Sequence, residues 1–359
     1  MPFITKQDDS NVQLYYEDFG SGQPIILIHG WPLSGKSWEM QIPVLLNLGY
    51  RVISYDRKGF GKSSPSLDGY DYDGLAKDLH EAEELVALAA KTGLVNAVHF
   101  NLRYYPLVRQ MKTMREKGDL GEIYSIIGSY LQDWLFYNTD YNWRLEPDKS
   151  GDSRAIADIG SHLLDVIEYI TGLKTVEVMA DFNTVHKVRK KPLKPVETYS
   201  GKMLQPEDYA DVHINTEDHA NVLLRFDNGN RGCVTVSQVS AGRKNQLKLE
   251  ISGSNKTFAF NSESPNEIWI GNRDQANQVL MRDPSLAYPE ATALMTFPGG
   301  HNEGFSDTSK QLFKEVYAAV EAGKQPENPK YPTFADGYRE LLICERILDS
   351  TRSQQWVKI

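Results

Sequence analysis

The chain has 359 residues, of which 40% are hydrophobic and 24% are charged, and its formal net charge is −9. These values are ordinary for a folded protein of about two domains, and they exclude a disordered chain, a collagen and a disulfide scaffold. Because proteins that bind duplex DNA cluster positive charge, we expect no nucleic-acid partner. The basic cluster at 187–194 fits a solvated loop.

Two cysteines, Cys233 and Cys344, stand outside any spacing that is typical of a zinc site, so we expect no metal. Two lone thiols suit a reducing compartment. The sequence begins without an apolar leader, and no run reaches the ~18 apolar residues that a membrane helix needs. These features predict a cytoplasmic protein with no membrane partner.

The first 80 residues alternate strand and helix patterns. Strands are predicted at 12–20, 24–30 and 51–56. A helix is predicted at 37–50, with a stop signal at Gly49 near its end. Short apolar strands joined by a helix form a β–α–β unit, which is typical of a parallel sheet.

From residue 81 the pattern first continues with helices and strands. Helices are predicted at 81–93, 105–118 and 153–172, and strands at 94–100 and at 122–134, the latter bulged at Gly128. Strand candidates then follow one another without helices between them, at 175–185, 219–229, 231–240, 247–254, 256–262 and 267–272. Such a succession predicts a large, mostly antiparallel sheet, with further helices at 308–323 and 333–352.

Residues 12–80 resemble the N-terminal part of α/β-hydrolases of the cofactor-free haloperoxidase and esterase branch. The matching residues are IILIHGWP (25–32), the run 37–63 and YDYDGLAKDL (70–79). The resemblance implies that the backbone N–H of Trp31 belongs to an oxyanion hole. The chain contains no G-x-S-x-G nucleophile motif, and its nearest approach, 238–242, lies in a predicted strand. Hydrolysis therefore lacks a nucleophile and is an alternative interpretation.

The same loop also fits a phosphate-binding pattern. Residues 30–37 match G-x-x-x-x-G-K-[ST] between a strand and a helix, and the next strand ends at Asp56. However, Pro32 lacks the N–H that a phosphate cradle uses, and the hydrolase resemblance already explains the loop. Nucleotide-triphosphate binding is thus the less favoured interpretation.

Residues 81–359 resemble the Gfo/Idh/MocA family of NAD(P)-dependent oxidoreductases. The match includes VNAVHFNLRYYP (95–106), YNWR (141–144), ADIGSHLLDVIEYITG (157–172), TEDHANVLLRFDNGNRG (216–232) and PGGHNEGF (298–305). The resemblance implies NAD or NADP as cofactor and a sugar or polyol as substrate. It also implies a homo-oligomer formed through the open face of the large sheet.

Asp158 and His162 form the candidate catalytic pair. They are four residues apart on a predicted helix, so they share one face. Oxidation of an alcohol needs a base that takes the hydroxyl proton, and an adjacent carboxylate can orient an imidazole and tune its pKa. His162 is the predicted base and Asp158 its partner, although Asp165 could pair with His162 instead.

The family resemblance implies further site residues. The predicted substrate-binding residues are Arg103, Gln132, Asp133, Trp143, Arg144 and His301. The predicted cofactor-binding residues are Asn101, Arg144 and Asp56, the last because it ends the second strand of a β–α–β unit, where a ribose-binding carboxylate is expected.

Two family motifs are missing. Residues 59–64 give only G-x-G-x-x-S, and no Glu-Lys-Pro motif occurs. The sequence therefore predicts a chimera, with a hydrolase-like segment at 1–80, the remainder of a dinucleotide-binding domain at 81–120 and a substrate and oligomerisation domain at 121–359. The predicted fold class is α/β, with a partial Rossmann-like parallel sheet, plus an α+β domain. The leading function is an oxidoreductase, and a catalytically inactive chimera is the alternative.

Overall fold

The computed structural model describes residues 3–5, 13–28, 34–39, 41–56, 61–63, 72–146, 151–193 and 204–359. The chain divides into two compact units, 1–69 and 70–359. The predicted three-part division at residues 80 and 120 remains a prediction.

The first unit contains a four-stranded sheet in the order β1-β2-β4-β3. Its strands are β1 (Phe3–Thr5), β2 (Gln13–Phe19), β3 (Pro24–Ile28) and β4 (Arg51–Tyr55). β3 and β4 are parallel, as the β–α–β pattern predicts, but β2 pairs with both β1 and β4 in the antiparallel sense. The sheet is therefore mixed.

The helix between β3 and β4 is shorter than predicted. A 3₁₀ turn at Gly35–Trp38 precedes α1 (Ile42–Asn47). Pro43 lies in the first turn of α1, where its missing N–H costs no intrahelical bond. Gly49, with φ of 85°, ends the segment in a conformation that glycine readily adopts.

A single helix, α2 (Tyr72–Thr92), crosses the point where the two sequence resemblances meet. The sequence placed that join at residues 78–81, inside a helix that both families would have. The backbone is helical on both sides of it, and Gly93, with φ of 66°, ends the helix.

The predicted strand at 94–100 is wrong. This segment carries no strand in the described structure, and its backbone is held by separate contacts. Val98 donates its N–H to the Pro332 carbonyl at 2.9 Å, and Asn96 donates to the Gln325 side chain at 3.2 Å. An apolar run becomes a strand only when a neighbouring strand can accept its backbone bonds.

The second unit is built on a nine-stranded sheet in the order β14-β13-β12-β11-β5-β10-β9-β6-β15. All its neighbouring strands are antiparallel except β5 and β10, which confirms the predicted large, mostly antiparallel sheet. Its strands are β5 (Ile123–Leu131), β6 (Thr175–Asn183), β9 (His219–Phe226), β10 (Arg231–Ser237), β11 (Gln246–Gly253), β12 (Thr257–Asn261), β13 (Glu267–Gly271), β14 (Gln278–Met281) and β15 (Val357–Lys358). A separate hairpin joins β7 (Val188–Pro192) and β8 (Tyr209–His213).

The predicted bulge at Gly128 is also wrong. Gly128 pairs in regular register with Val234 and Leu249, and the irregularity of that ladder lies at Ser252 and Gly253. A Cβ at position 128 would lie 3.2 Å from a methyl carbon of Leu163. The absence of a side chain at Gly128 therefore allows Leu163 to pack closely against the sheet.

Helices cover one face of the large sheet and bury the main core. They are α3 (Pro106–Glu116), α4 (Ser161–Thr171) and α7 (Phe334–Ser353). Two more helices, α5 (Pro289–Thr292) and α6 (Phe305–Glu321), lie near a smaller apolar cluster. The main core includes Met111, Ile126, Leu163, Ile167, Val222, Val234, Leu249 and Ile343. None of the helices in the described ranges is both long and apolar enough to span a membrane.

Two adjacent buried carboxylates fix the start of the helix that carries Asp158 and His162. Both oxygens of Glu217 accept the Arg154 N–H, at 2.8 and 2.9 Å, and one also accepts the Ile156 N–H at 2.9 Å. Asp218 forms buried ion pairs with Arg154 and Arg189. Free N–H groups at a helix start need such acceptors, because water cannot reach them here.

We expect Glu217→Gln to lower the free energy of unfolding by about 1–3 kcal/mol, because an amide replaces one acceptor oxygen by a donor that faces other donors. The matched control is Glu321→Gln, an exposed residue at the end of α6, which should stay within ~0.5 kcal/mol of the wild type. Urea denaturation of both variants checks this. Equal stability of the two variants would show that Glu217 does not anchor the helix.

Candidate active site

Asp158 lies in a widened helical turn, Ile156–Gly160, that leads directly into α4. One carboxylate oxygen accepts a hydrogen bond from Arg144 Nη2 at 2.9 Å, and the other accepts from Gln238 Nε2 at 2.7 Å. Asp158 was predicted to be the partner of His162, but the described hydrogen bonds of its carboxylate go to Arg144 and Gln238. Asp158 therefore acts on His162 through its charge.

His162 lies at the start of α4 and is half-buried. Its ring meets the Phe100 ring edge-on at a centroid distance of 5.3 Å, and its buried Nδ1 has no hydrogen-bond partner among the described residues. Burial lowers the pKa of His162 below its usual 6.5, and the charge of Asp158 opposes this only in part. The imidazole is therefore neutral at pH 7, as a proton acceptor must be.

Asp165 does not pair with His162, contrary to the alternative that the sequence left open. It binds Arg103 through both oxygens, and Arg103 also donates to Asp336 at 2.8 Å. The two carboxylates lie on α4 and α7. The structure thus places Arg103 in a network of ion pairs between helices, and its described hydrogen bonds go to those two carboxylates.

The end of β5 brings two predicted residues next to the loop that follows β10. Gln132 donates to Asn245 at 2.8 Å and accepts from Trp134 Nε1 at 2.8 Å. Asp133 accepts from the Lys244 ammonium at 2.7 Å. Because Gln238 begins the same loop, Gln132 and Asp133 lie near the residue that holds Asp158.

Trp143 and Arg144 form a short 3₁₀ turn, Trp143–Leu145. The Arg144 guanidinium lies 5.2 Å from the centroid of the Trp143 ring and ion-pairs with Asp158 at 2.9 Å. The pair Trp143–Arg144 and the segment from Asp158 to His162, which are separated in sequence, therefore meet in the fold. The positive charge of Arg144 is balanced by Asp158.

Two other predicted residues lie apart from these contacts. Asn101 is buried and donates to Thr308 at 2.6 Å. His301 is exposed, and its Nδ1 is 3.4 Å from the Gly299 carbonyl. Neither residue has a described contact with Asp158 or His162.

Asp56 belongs to the first unit and holds the loops around it. Its two carboxylate oxygens accept the Gly35 N–H at 2.7 Å and the Lys62 N–H at 2.8 Å. Both contacts are local, so the carboxylate is engaged within its own unit. The loop of Trp31, predicted to build an oxyanion hole or a phosphate cradle, lies outside the described residues.

Ser240 does not form a nucleophile elbow. It follows β10 in a turn in which its N–H donates to the Gln132 carbonyl at 2.9 Å and Arg243 donates back to it at 3.0 Å. It lies in a loop and not in the predicted strand, and no helix follows it. The geometry that a hydrolase serine requires is therefore absent at this position.

Sequence reasoning missed Gln238 and Glu217 as residues that shape the site. Both are almost fully buried. They lie within segments that resemble the oxidoreductase family, but Gln238 reaches Asp158 across 80 residues of sequence, and no local pattern signals such a contact.

Two family models match the chain. Residues 108–259 match the GFO/IDH/MocA C-terminal domain, and residues 23–130 match the alpha/beta hydrolase fold. Both resemblances are confirmed. The two matches overlap over 108–130, so the boundary between them is less sharp than the sequence motifs imply.

Curated relatives divide in the same way. A levoglucosan dehydrogenase of Pseudarthrobacter phenanthrenivorans is 28% identical over 294 residues, which cover 79% of this chain and 72% of that protein. A putative non-heme chloroperoxidase of Synechocystis sp. is 54% identical over 100 residues, or 27% of this chain. The chain spans about a third of that chloroperoxidase, 34% of its length.

Solved structures are similar to the larger part of this chain. An oxidoreductase domain protein from Kribbella flavida has a TM-score of 0.67 and 29% identity, covering 78% of this chain and 71% of that one. A levoglucosan dehydrogenase in complex with NADH and L-sorbose has a TM-score of 0.67 and 26% identity over 78% and 70% of the two chains. Most of this chain is thus similar to sugar dehydrogenases of the Gfo/Idh/MocA type.

We expect the His162 imidazole to titrate below pH 6.5, because burial disfavours its charged form. Asp158→Asn should lower the pKa of His162 further, since the carboxylate favours the imidazolium. NMR titration of the histidine ring signals, assigned with His162→Asn, measures both values. A midpoint at pH 7 or above in the wild type would contradict the neutral base.

Proposed function

We propose that this protein is an oxidoreductase that oxidises a hydroxyl group of a sugar or polyol, with NAD or NADP as the hydride acceptor. The observation that carries the proposal is the half-buried His162, whose charge interacts with an Asp158 carboxylate that Arg144 and Gln238 hold in place. The similarity to levoglucosan dehydrogenase over most of the chain supports this substrate class.

In this proposal His162 accepts the proton of the substrate hydroxyl while the carbon loses its hydride. The imidazolium that forms is stabilised by the negative charge of Asp158. Arg144 and Gln238 hold that carboxylate in place through hydrogen bonds, so it does not need to reorganise as the charge develops. The nicotinamide cofactor, when bound, supplies the hydride acceptor.

The described residues of the first unit do not fit the phosphate end of a dinucleotide. Such a site needs open N–H groups at a helix start and a free carboxylate for the ribose. Here the first N–H of the 3₁₀ turn Gly35–Trp38 donates to Asp56, so neither this N–H nor this carboxylate oxygen is open to a ligand. This observation favours the alternative, a chimera with a preformed proton-transfer site that binds no cofactor.

A turnover assay tests the proposal. We expect the wild type to oxidise levoglucosan or myo-inositol with NAD or NADP, and His162→Asn to lose about 10²–10⁴-fold in kcat because the base is absent. His213→Asn, which alters an exposed residue at the end of β8, is the matched control and should keep full turnover.

Titration with NADH, followed by energy transfer from tryptophan, separates the two candidates. Saturable binding together with loss of turnover in His162→Asn supports the oxidoreductase. A folded protein that neither binds NADH nor turns over is the inactive chimera. Full turnover in His162→Asn would contradict the role of His162.

We also propose that the protein forms a homo-oligomer through the open face of its large sheet. Strand registers align a row of eight side chains across this face, from β6 to β14. Seven of the eight are apolar: the row runs Met179, Leu223, Cys233, Ile127, Glu250, Ala259, Trp269 and Val279. Ile127, Leu223 and Val279 are 54%, 49% and 57% exposed. A row of seven apolar side chains interrupted by Glu250 is unusual on a monomer surface, and a second copy would cover it by two-fold symmetry.

Leu223→Glu combined with Ile127→Glu should dissociate the oligomer, because two buried charges would face an apolar partner surface. Leu286→Glu, an exposed residue outside the row, is the control and should leave the mass unchanged. Light scattering during size-exclusion chromatography measures the mass. A monomeric wild-type protein would contradict the proposed homo-oligomer.

A further inference from the structure

A polar cleft of about 290 Å³ lies between α4, α7 and the turn that carries Arg103. Its charged lining residues are Arg103, Glu168, Lys174, Asp336, Arg339 and Glu340. It lies apart from the hydrogen bonds that hold Asp158.

The ionised acceptors of the cleft are already engaged. Glu168 accepts from the Thr175 N–H at 2.8 Å, from Arg339 Nη2 at 2.9 Å and from the Lys174 ammonium at 2.9 Å. Asp336 accepts from Arg103 at 2.8 Å and from the Thr333 N–H at 2.8 Å. These carboxylates hold the arginines in position and have little capacity left for a ligand.

The donors of the cleft retain unused capacity. Arg103 and Arg339 bind their carboxylates through Nε and Nη2, and Nη1 of each makes none of the described hydrogen bonds. The Lys174 side chain is 60% exposed and has two further N–H groups. A guanidinium that is fixed along one edge presents the other edge to a ligand without further loss of side-chain freedom.

Glu340 adds a fourth donor. Its side chain is 3% exposed, and its buried Oε2 has no partner among the described residues. Burial raises the pKa of Glu340 well above its usual value, and the nearby charges of Asp165 and Glu168 raise it further. Burial therefore favours the protonated, neutral form of this carboxyl, and a protonated carboxyl can donate.

We propose that this cleft is a binding site for a small oxyanion, a carboxylate or a phosphate, held by Arg103, Arg339, Lys174 and Glu340. The unused groups of Arg103, Arg339 and Lys174 are all donors, and charge-assisted bonds from guanidinium and ammonium groups to an oxyanion are among the stronger hydrogen bonds in proteins. The site is independent of the redox reaction.

Calorimetric titration of the full chain with inorganic phosphate, and separately with malonate, tests the site at low ionic strength. We expect saturable binding of at least one anion with one site per chain. Lys174→Gln should weaken it about tenfold, the equivalent of ~1.4 kcal/mol for a lost charged donor. Lys248→Gln, an exposed lysine on the opposite face of the sheet, is the control and should bind as the wild type does.

Three results would overturn the assignment. They are no saturable binding of either anion to the folded protein, equal weakening in Lys174→Gln and Lys248→Gln, and saturable binding of methylammonium in place of the anions. The last would mean that Glu340 is ionised and that the cleft takes a cation. Glu340→Gln should keep anion binding within about twofold, because its amide also donates.

Discussion

The buried pair Glu217 and Asp218 is the constraint on which the second unit depends. Glu217 accepts the N–H groups that begin the helix of Asp158 and His162, while Asp218 ties Arg154 to the hairpin strand that carries Arg189. The Asp218 carbonyl also accepts the Gln238 N–H at 3.0 Å. Since Gln238 in turn holds Asp158, one chain of hydrogen bonds leads from the buried pair to the proton-transfer site.

The strands of each unit form their backbone hydrogen bonds in a sheet of that unit. The first unit closes its own mixed sheet of four strands. The second unit pairs nine strands with one another, and the apolar run at 94–100 remains extended without a ladder. The match to the GFO/IDH/MocA C-terminal domain lies within the second unit, whereas Asp56, which was expected to hold the ribose of the cofactor, lies in the first unit, within the alpha/beta hydrolase match.

Much of the fold follows from local patterns. Alternating apolar residues correctly predicted the seven longest strands of the large sheet, because one of its faces is buried against helices, whereas the short strands β14 and β15 were not predicted. The strand at 94–100 could not be rejected from sequence, since its formation depends on a neighbour elsewhere in the chain. Gly128 was mistaken for a bulge because the contact that requires glycine there, with Leu163, is a long-range one.

The sequence predicted which residues belong to the candidate site better than it predicted which of them contact one another. The spacing of Asp158 and His162 placed both on one helical segment, and Trp143 and Arg144 were expected nearby. The partners of each charge were not predictable: Asp158 binds Arg144 and Gln238, and Asp165 binds Arg103. These pairings arise from the packing of α4 against β10 and α7, which no local pattern encodes.

The most direct test of the account is whether a sugar or polyol reaches His162 in the absence of any cofactor. Titration with levoglucosan or myo-inositol, followed through the His162 ring signals by NMR, measures this. The account predicts a saturable shift of the His162 signals that Arg144→Gln weakens, because Asp158 is then less firmly held. Unchanged His162 signals at saturating sugar and polyol, in a folded protein, would contradict a substrate site at this residue.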